Sequence, residues 1–305
     1  MNRIFRIGTR DSELAVWQAT LVQQLFSQHG FNSELVFIKS DGDINLVTPL
    51  YEMGVQGIFT KTLDAALLSN KIDVAVHSMK DVPVQLATGI AQAAVLKRAS
   101  HKDILVYKRD LSFLQNQNSD AVIATSSIRR KAQWLNRFPK HTIENLRGNV
   151  NTRLQKVNNN NWHGAIFAAA GLERINLRPQ NSIELDWMLP APAQGAIMIV
   201  CNENDSEVKE ACTKFNDQAT ALCTKIERDF LKTLMGGCST PISALAEIKN
   251  DELIFKGNIF SPDGRYNATI EKVFALENAS YAGIAAGKEV IENGGKEIIV
   301  LLNNN

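Results

Sequence analysis

Ile72-Asp-Val-Ala-Val-His77-Ser-Met-Lys-Asp81 is the stretch that decides the fold. Its first six residues form a mostly apolar, β-branched run too short for a helix, which predicts a buried strand, and the polar residues Ser78 to Asp81 follow at once. The same arrangement recurs on either side. Upstream, Phe5-Arg-Ile-Gly-Thr9 predicts a strand followed by Arg10, Asp11 and Ser12, with Ser12 placed to cap a helix on which Leu14, Trp17, Leu21 and Leu25 recur at helical spacing. Residues 32–39 predict a further strand, 60–69 a helix, and 90–96 and 104–107 two more strands. A second series then begins, with strands at 121–124, 142–146 and 165–168 and helices at 127–138 and 150–157. Strands that alternate with amphipathic segments in this way make an α/β sheet with crossover helices, and here the pattern runs twice.

At 305 residues the chain exceeds the size at which one core keeps growing, so two or three domains are expected. With 45% hydrophobic and 21% charged residues the composition is that of a globular protein. No apolar run is long enough for a signal peptide or a membrane span, which predicts a cytoplasmic protein with no membrane partner. The four cysteines, Cys201, Cys212, Cys223 and Cys238, contain no Cys-x-x-Cys pair, and the five histidines lack ligand spacing, so no metal site is expected. Cys212 and Cys223 are eleven residues apart, which would place them on one face of a helix as packing residues. Cys238 differs. It stands in Met235-Gly-Gly-Cys-Ser-Thr-Pro241, where two glycines and a proline present the thiol on a loop.

The net charge of +1 conceals a local cation field. Between Thr125 and Arg153, the basic residues Arg129, Arg130, Lys131, Arg137, Lys140, Arg147 and Arg153 face the single acid Glu144. Arg137 and Lys140 read as a solvated helix face. The others follow strands, as do Arg10, Ser12, Ser78, Lys80 and Asp81, and in open α/β sheets the carboxyl ends of the strands open onto the ligand crevice. Several also lie at predicted helix N-termini, where free N–H groups and the helix dipole favour anions. Ser126 and Ser127 add hydroxyls, Gly148 allows close backbone approach, and arginine in place of lysine suits bidentate capture of carboxylates. The expected ligand is a small polyanion. Neither a Gly-x-x-x-x-Gly-Lys-Ser/Thr loop nor a Gly-x-Gly-x-x-Gly fingerprint occurs, and arginines grouped at strand ends are not the broad basic face that nucleic acid requires.

Six motifs together carry a family resemblance: Val76-His-Ser-Met-Lys-Asp-Val-Pro83, Thr125-Ser-Ser-Ile-Arg-Arg130, Leu146-Arg-Gly-Asn-Val-Asn-Thr-Arg153, Ala170-Gly-Leu-Glu-Arg174, Pro192-Ala-Gln-Gly-Ala196 and Gly236-Gly-Cys-Ser-Thr-Pro241. In this order they resemble the porphobilinogen deaminase (hydroxymethylbilane synthase) family from Arg6 to at least Glu247. The resemblance implies two periplasmic-binding-protein-like α/β domains, residues 1–97 with 196–214 and residues 98–195. It also implies a smaller α+β C-terminal domain, 218–305, that carries the cofactor cysteine. In that last domain a long helix from 218, strands at 253–259 and 266–274, a helix at 280–293 and a final strand at 297–301 are expected.

The implied activity joins four porphobilinogen molecules head to tail, with loss of ammonia, into a linear tetrapyrrole of the haem pathway. The chain grows on a dipyrromethane cofactor held by a thioether to Cys238, in a monomeric enzyme. Asp81 is then the catalytic acid, hydrogen-bonding pyrrole nitrogens and stabilising the azafulvene-like cation left when ammonia departs. Ser78, Lys80, Asp81, Thr125, Ser126, Ser127, Arg129, Arg130, Arg147 and Gly148 would hold the cofactor, and Arg10, Ser12, Arg147, Arg153, Arg174 and Gln194 the substrate or growing chain. Three positions depart from the family's habit: Gln56 where lysine is frequent, Ala193 where glycine is frequent, and Val200 where an acid is common. Residues 43–60 read as a lid loop. A two-lobed binding protein for a polycarboxylate or oxyanion is the alternative, and it leaves Cys238 and Asp81 without a purpose.

Overall fold

A computed structural model describes residues 3–39, 60–116, 118–235 and 240–303. Cys238, Gln56 and the expected lid, apart from Thr60 at its end, lie outside the described residues. In chain order the structure opens with strand β1 (Ile4–Thr9), helix α1 (Glu13–Gln28), strand β2 (Asn32–Phe37), helix α2 (Lys61–Leu68), β3 (Val74–Ser78) and β4 (Ile90–Val95). It continues with β5 (Asp103–Tyr107), β6 (Val122–Ala124), α3 (Ile128–Arg137), β7 (Thr142–Glu144), α4 (Val150–Asn159), β8 (Gly164–Ala168), α5 (Ala169–Glu173) and β9 (Ser182–Glu184). Strand β10 (Ile197–Asn202) and helix α6 (Ser206–Thr213) follow, and the chain ends with α7 (Gln218–Thr233), β11 (Ile242–Lys249), β12 (Glu252–Phe260), β13 (Asn267–Ala275), α8 (Ala282–Val290) and α9 (Lys296–Asn303).

By packing, the chain divides into two compact units, one of residues 1–46, 55–99 and 195–222, the other of 47–54, 100–194 and 223–305. The first unit holds a sheet of order β2-β1-β3-β10-β4. β1 pairs in parallel with β2 and β3, and β10 runs antiparallel between β3 and β4. Covered on both faces, β3 is apolar throughout its centre, as a buried strand must be. Helix α1 closes one face with Ala15, Ala19, Val22 and Phe26, and Phe26 lies 5.1 Å from the ring of Phe5. The predicted stripe is thus turned by about one residue: Leu21 and Leu25 are only partly buried and Trp17 is exposed. Small residues at 15 and 19 let the helix approach the sheet, which a search for large apolar side chains overlooks.

The second unit repeats the design, with a sheet of order β7-β6-β8-β5-β9 in which β6 is parallel to β7 and β8 while β5 is antiparallel to β8 and β9. Each sheet therefore takes its one internal antiparallel strand, β10 or β5, from the chain segment that has just crossed from the other unit. The same unit contains an antiparallel meander, β11-β12-β13. Helix α7 packs on it through Phe230, whose ring is 5.1 Å from that of Phe255. Helix α8 lies so close to α7 that a Cβ on Gly283 would come within 2.0 Å of the Ile226 carbonyl oxygen.

Two expectations fail here. Residues 297–301 form part of helix α9, not a strand: Ile298, Ile299 and Leu302 turn inward at helical spacing, and Val300 and Leu301 are exposed. Gly294, at φ 97°, ends the preceding helix and allows a new one to start. Cys212 and Cys223 are buried, as packing residues should be, but on different helices, α6 and α7. Burial raises the Cys201 thiol to about 11 and pushes Cys212 up as well, which disfavours the thiolate form of both.

Candidate active site

In the first unit the deciding stretch ends in a single 3-10 turn, Met79–Asp81. Met79 is buried, and its N–H donates to the carbonyl of Ala196, just before β10, at 3.0 Å. The turn closes with Val82 N–H on the Met79 carbonyl at 3.1 Å. Anchored in this way, it leaves Lys80 half-buried and Asp81 exposed. Ser78 is held from behind, because the amide of the buried Gln18 donates to its Oγ at 2.9 Å. Ser12 occupies the N-cap position of α1 with extended backbone, yet its hydroxyl makes no capping bond. Arg10 follows β1 and is close enough to His77 for its charge to lower the imidazole's proton affinity.

In the second unit, Thr125, Ser126 and Ser127 follow β6. The Thr125 hydroxyl accepts from Ser127 N–H at 3.2 Å, and Ser127 caps α3 by accepting from Arg130 N–H at 3.4 Å. Ser126 is engaged elsewhere. Its Oγ lies 2.5 Å from both Asn145 Oδ1 and the Leu146 carbonyl and accepts from Leu146 N–H at 2.9 Å, which ties the loop after β6 to the loop after β7. Gly148 adopts φ 113°, and a Cβ there would lie 2.8 Å from Thr152 Cγ2, so glycine is required twice over. Arg153 Nε donates to the Gly148 carbonyl at 2.7 Å. Arg147 is buried, and that burial lowers its proton affinity. Burial likewise pushes Arg174 down to about 10, against a smaller opposing pull from Glu173.

Arg129 and Arg130 do not reach out from α3. Both are buried, and both turn back onto Asp103 at the start of β5, a residue the sequence reading had not singled out. Arg129 Nη2 donates to Asp103 Oδ2 at 2.7 Å, and Arg130 Nε and Nη2 donate to Oδ1 at 3.1 and 2.7 Å. Gln194, expected to touch the substrate, is fully buried as well. Its Nε2 donates to Asp103 Oδ1 at 2.9 Å and to the His101 carbonyl at 2.8 Å, so it supports the arginine pair from within the unit. Next to it Ala193 takes φ 63°, the left-handed conformation that explains why glycine suits this position. Its N–H donates to the buried carboxylate of Glu227 at 2.6 Å, and the second oxygen of that carboxylate accepts from Ala246 N–H at 2.8 Å.

Asp81 thus stands exposed on an anchored turn of the first unit, while in the second unit Arg129, Arg130 and Arg147 are buried and Arg153 and Arg174 half-buried. The family model described as porphobilinogen deaminase, dipyromethane cofactor binding domain, matches residues 5–210, and that of the porphobilinogen deaminase C-terminal domain matches residues 221–292. A porphobilinogen deaminase of Chlorobium phaeobacteroides (strain BS1) is 38% identical over 307 residues, covering 98% of each chain. The chain belongs to the porphobilinogen deaminase family.

Among solved structures, a periplasmic substrate-binding protein of an ABC transporter from Coxiella burnetii aligns with a TM-score of 0.44 at 12% identity, over 72% of this chain and 94% of its own. A nutrient binding protein from Burkholderia cenocepacia bound to methionine aligns at 0.43 and 14%, over 75% and 95%. Likenesses at this level carry no argument about function.

The residues present fit a dipyrromethane with its carboxylate side chains. Among the described residues, Arg129 and Arg130 face one carboxylate between them, which leaves one positive charge uncompensated in a buried setting. A carboxylate of the dipyrromethane would complete that balance.

Proposed function

We propose that Asp81 performs the chemistry and that the arginines of the second unit hold the carboxylates of cofactor and growing chain. The reaction is the family's: four porphobilinogen molecules are joined head to tail, with release of ammonia, into the linear tetrapyrrole hydroxymethylbilane. When bound, the dipyrromethane supplies the pyrrole on which the product is built. Cys238 anchors it through a thioether, in a third domain spanning 218–305.

Asp81, exposed on its turn, accepts hydrogen bonds from pyrrole N–H groups. Its negative charge stabilises the cation that develops on porphobilinogen as ammonia leaves, and its oxygens assist the proton transfers. Lys80 and Ser78 flank it. Arg129, Arg130, Arg147, Thr125, Ser127 and Gly148 hold the cofactor, with Ser126 shaping the loop they share. Arg10, Ser12, Arg153 and Arg174 hold acetate and propionate groups of substrate and growing chain, as charged hydrogen bonds suited to forked guanidinium groups. Gln194 acts one step removed, through Asp103.

The observation that carries this reading is the buried arginine pair sharing one carboxylate, a built-in demand for an anionic ligand. The enzyme works as a cytoplasmic monomer in haem synthesis, without nucleic acid or membrane partners; among the described residues no helix is long and apolar enough to cross a membrane. Incubation with porphobilinogen tests the assignment. Release of one ammonia per pyrrole consumed, with a linear tetrapyrrole that cyclises and oxidises to a porphyrin, is the expected result. Binding of porphobilinogen without ammonia release would instead establish a two-lobed polycarboxylate-binding protein.

A further inference from the structure

We infer that Asp103 is a positioning residue for the cofactor site: it aims the Arg129 and Arg130 forks and holds their joint charge at that of a single cation. The inference rests on the reading that these arginines bind cofactor carboxylates. Asp103 is the first residue of β5 and is 0% exposed. Among the described residues, its two oxygens accept hydrogen bonds from Arg129 Nη2, from Arg130 Nε and Nη2, and from Gln194 Nε2.

Each guanidinium is fixed at a second point as well. Arg129 Nη1 donates to the Leu189 carbonyl at 2.6 Å and Arg130 Nη1 to the Ile166 carbonyl at 3.0 Å. The Leu189 carbonyl is itself positioned, since Gln133 grips that residue by accepting from its N–H at 2.9 Å and donating to its C=O at 3.0 Å. Two adjacent arginines on the first turns of one helix would otherwise repel each other and spread apart. Burial pulls the proton affinity of Arg129 down and the neighbouring Arg130 adds to this, while Asp103 opposes both. The carboxylate thus keeps both groups charged and fixed in place, and leaves one positive charge over for the ligand.

Asp103→Asn tests this, because it keeps the side chain's shape while removing its charge and turning an acceptor into a donor that faces arginine N–H groups. Apo-protein freed of cofactor would be incubated with porphobilinogen, and cofactor loading followed by intact mass. Wild type should load fully. Asp103→Asn should load at least tenfold more slowly, and its loaded fraction should show a raised KM with kcat changed less than threefold, a split that mere loss of folded protein would not produce. Gln194→Leu removes one of these bonds and no charge, and should slow loading two- to fivefold; if Asp103→Asn does not fold, this variant decides the matter. Arg130→Met separates the two levels of the argument. Normal loading by Arg130→Met would overturn the underlying reading of the arginines. Impaired loading by Arg130→Met together with wild-type loading in Asp103→Asn, or in Gln194→Leu should it have to decide, would overturn the role of Asp103 alone.

Discussion

His77 offers the most quantitative test of how the Met79–Asp81 turn is supported. It lies on β3 opposite Met198 of β10, two residues before the turn that presents Asp81, and its Nε2 is buried without a hydrogen-bond partner among the described residues. Burial first, and the Arg10 charge second, lower its proton affinity from 6.5 to about 4. The folded protein therefore refuses a proton that the unfolded chain accepts below pH 6.5. For a base with a depressed folded-state value, stability is fully present above the unfolded value and is lost as the pH falls toward the folded one. The loss amounts to about 2 kcal/mol at about pH 5 and about 3 kcal/mol at about pH 4. His77→Leu removes the titrating group, so the stability difference between variant and wild type, from urea titrations, should move in the variant's favour by about 2 kcal/mol between about pH 7.5 and about pH 5. A difference that stays the same at both pH values would refute the reasoning. It would mean that the imidazole is either solvated or already paired.

The remaining predictions concern chemistry and backbone. Asp81→Asn should keep the arginines in place and slow turnover on the order of a hundredfold, corresponding to about 3 kcal/mol of lost transition-state stabilisation; near-normal turnover at saturating substrate would remove Asp81 from the central role. Arg147→Ala should stall cofactor loading or chain growth, each lost charged hydrogen bond costing about 1.5–3 kcal/mol, and normal loading with normal kinetics would make Arg147 a structural charge. Ala193→Gly should raise stability by up to about 1 kcal/mol, because relief of the left-handed strain, about 1–2 kcal/mol, exceeds the extra entropy lost by glycine. Thermal unfolding reads it, and a lowered melting temperature would contradict the argument.

What could be read along the chain was local. Periodicity located β3 and its polar turn and the strand–helix alternation of both units, because these depend on neighbours a few residues apart; the capping bond expected of Ser12 is not made, whereas Ser127 caps α3. Partners distant in sequence were out of reach. Nothing about Asp103 in sequence shows that a carboxylate 26 and 27 residues before Arg129 and Arg130 will take both of them, because that meeting depends on β5 entering the sheet antiparallel beside β8. The cation run could be seen, and its counter-ion could not. Glu227 is a similar case: on a helix rich in charged side chains it reads as surface, yet it is fully buried because two backbone N–H groups from Ala193 and Ala246 converge on it. Residues 297–301 misled because a β-branched apolar run suits either a strand or a short amphipathic helix.

Intact mass of the purified protein, beside Cys238→Ser, is the most direct test of the central claim that this chain builds a tetrapyrrole on a covalent primer. After incubation with porphobilinogen, the wild type should exceed its sequence mass by two linked pyrrole units, with further species spaced by single pyrroles as substrate is added. The serine variant should remain at its sequence mass. A wild type without any covalent increment, or a serine variant that keeps a stable two-pyrrole adduct, would contradict the account.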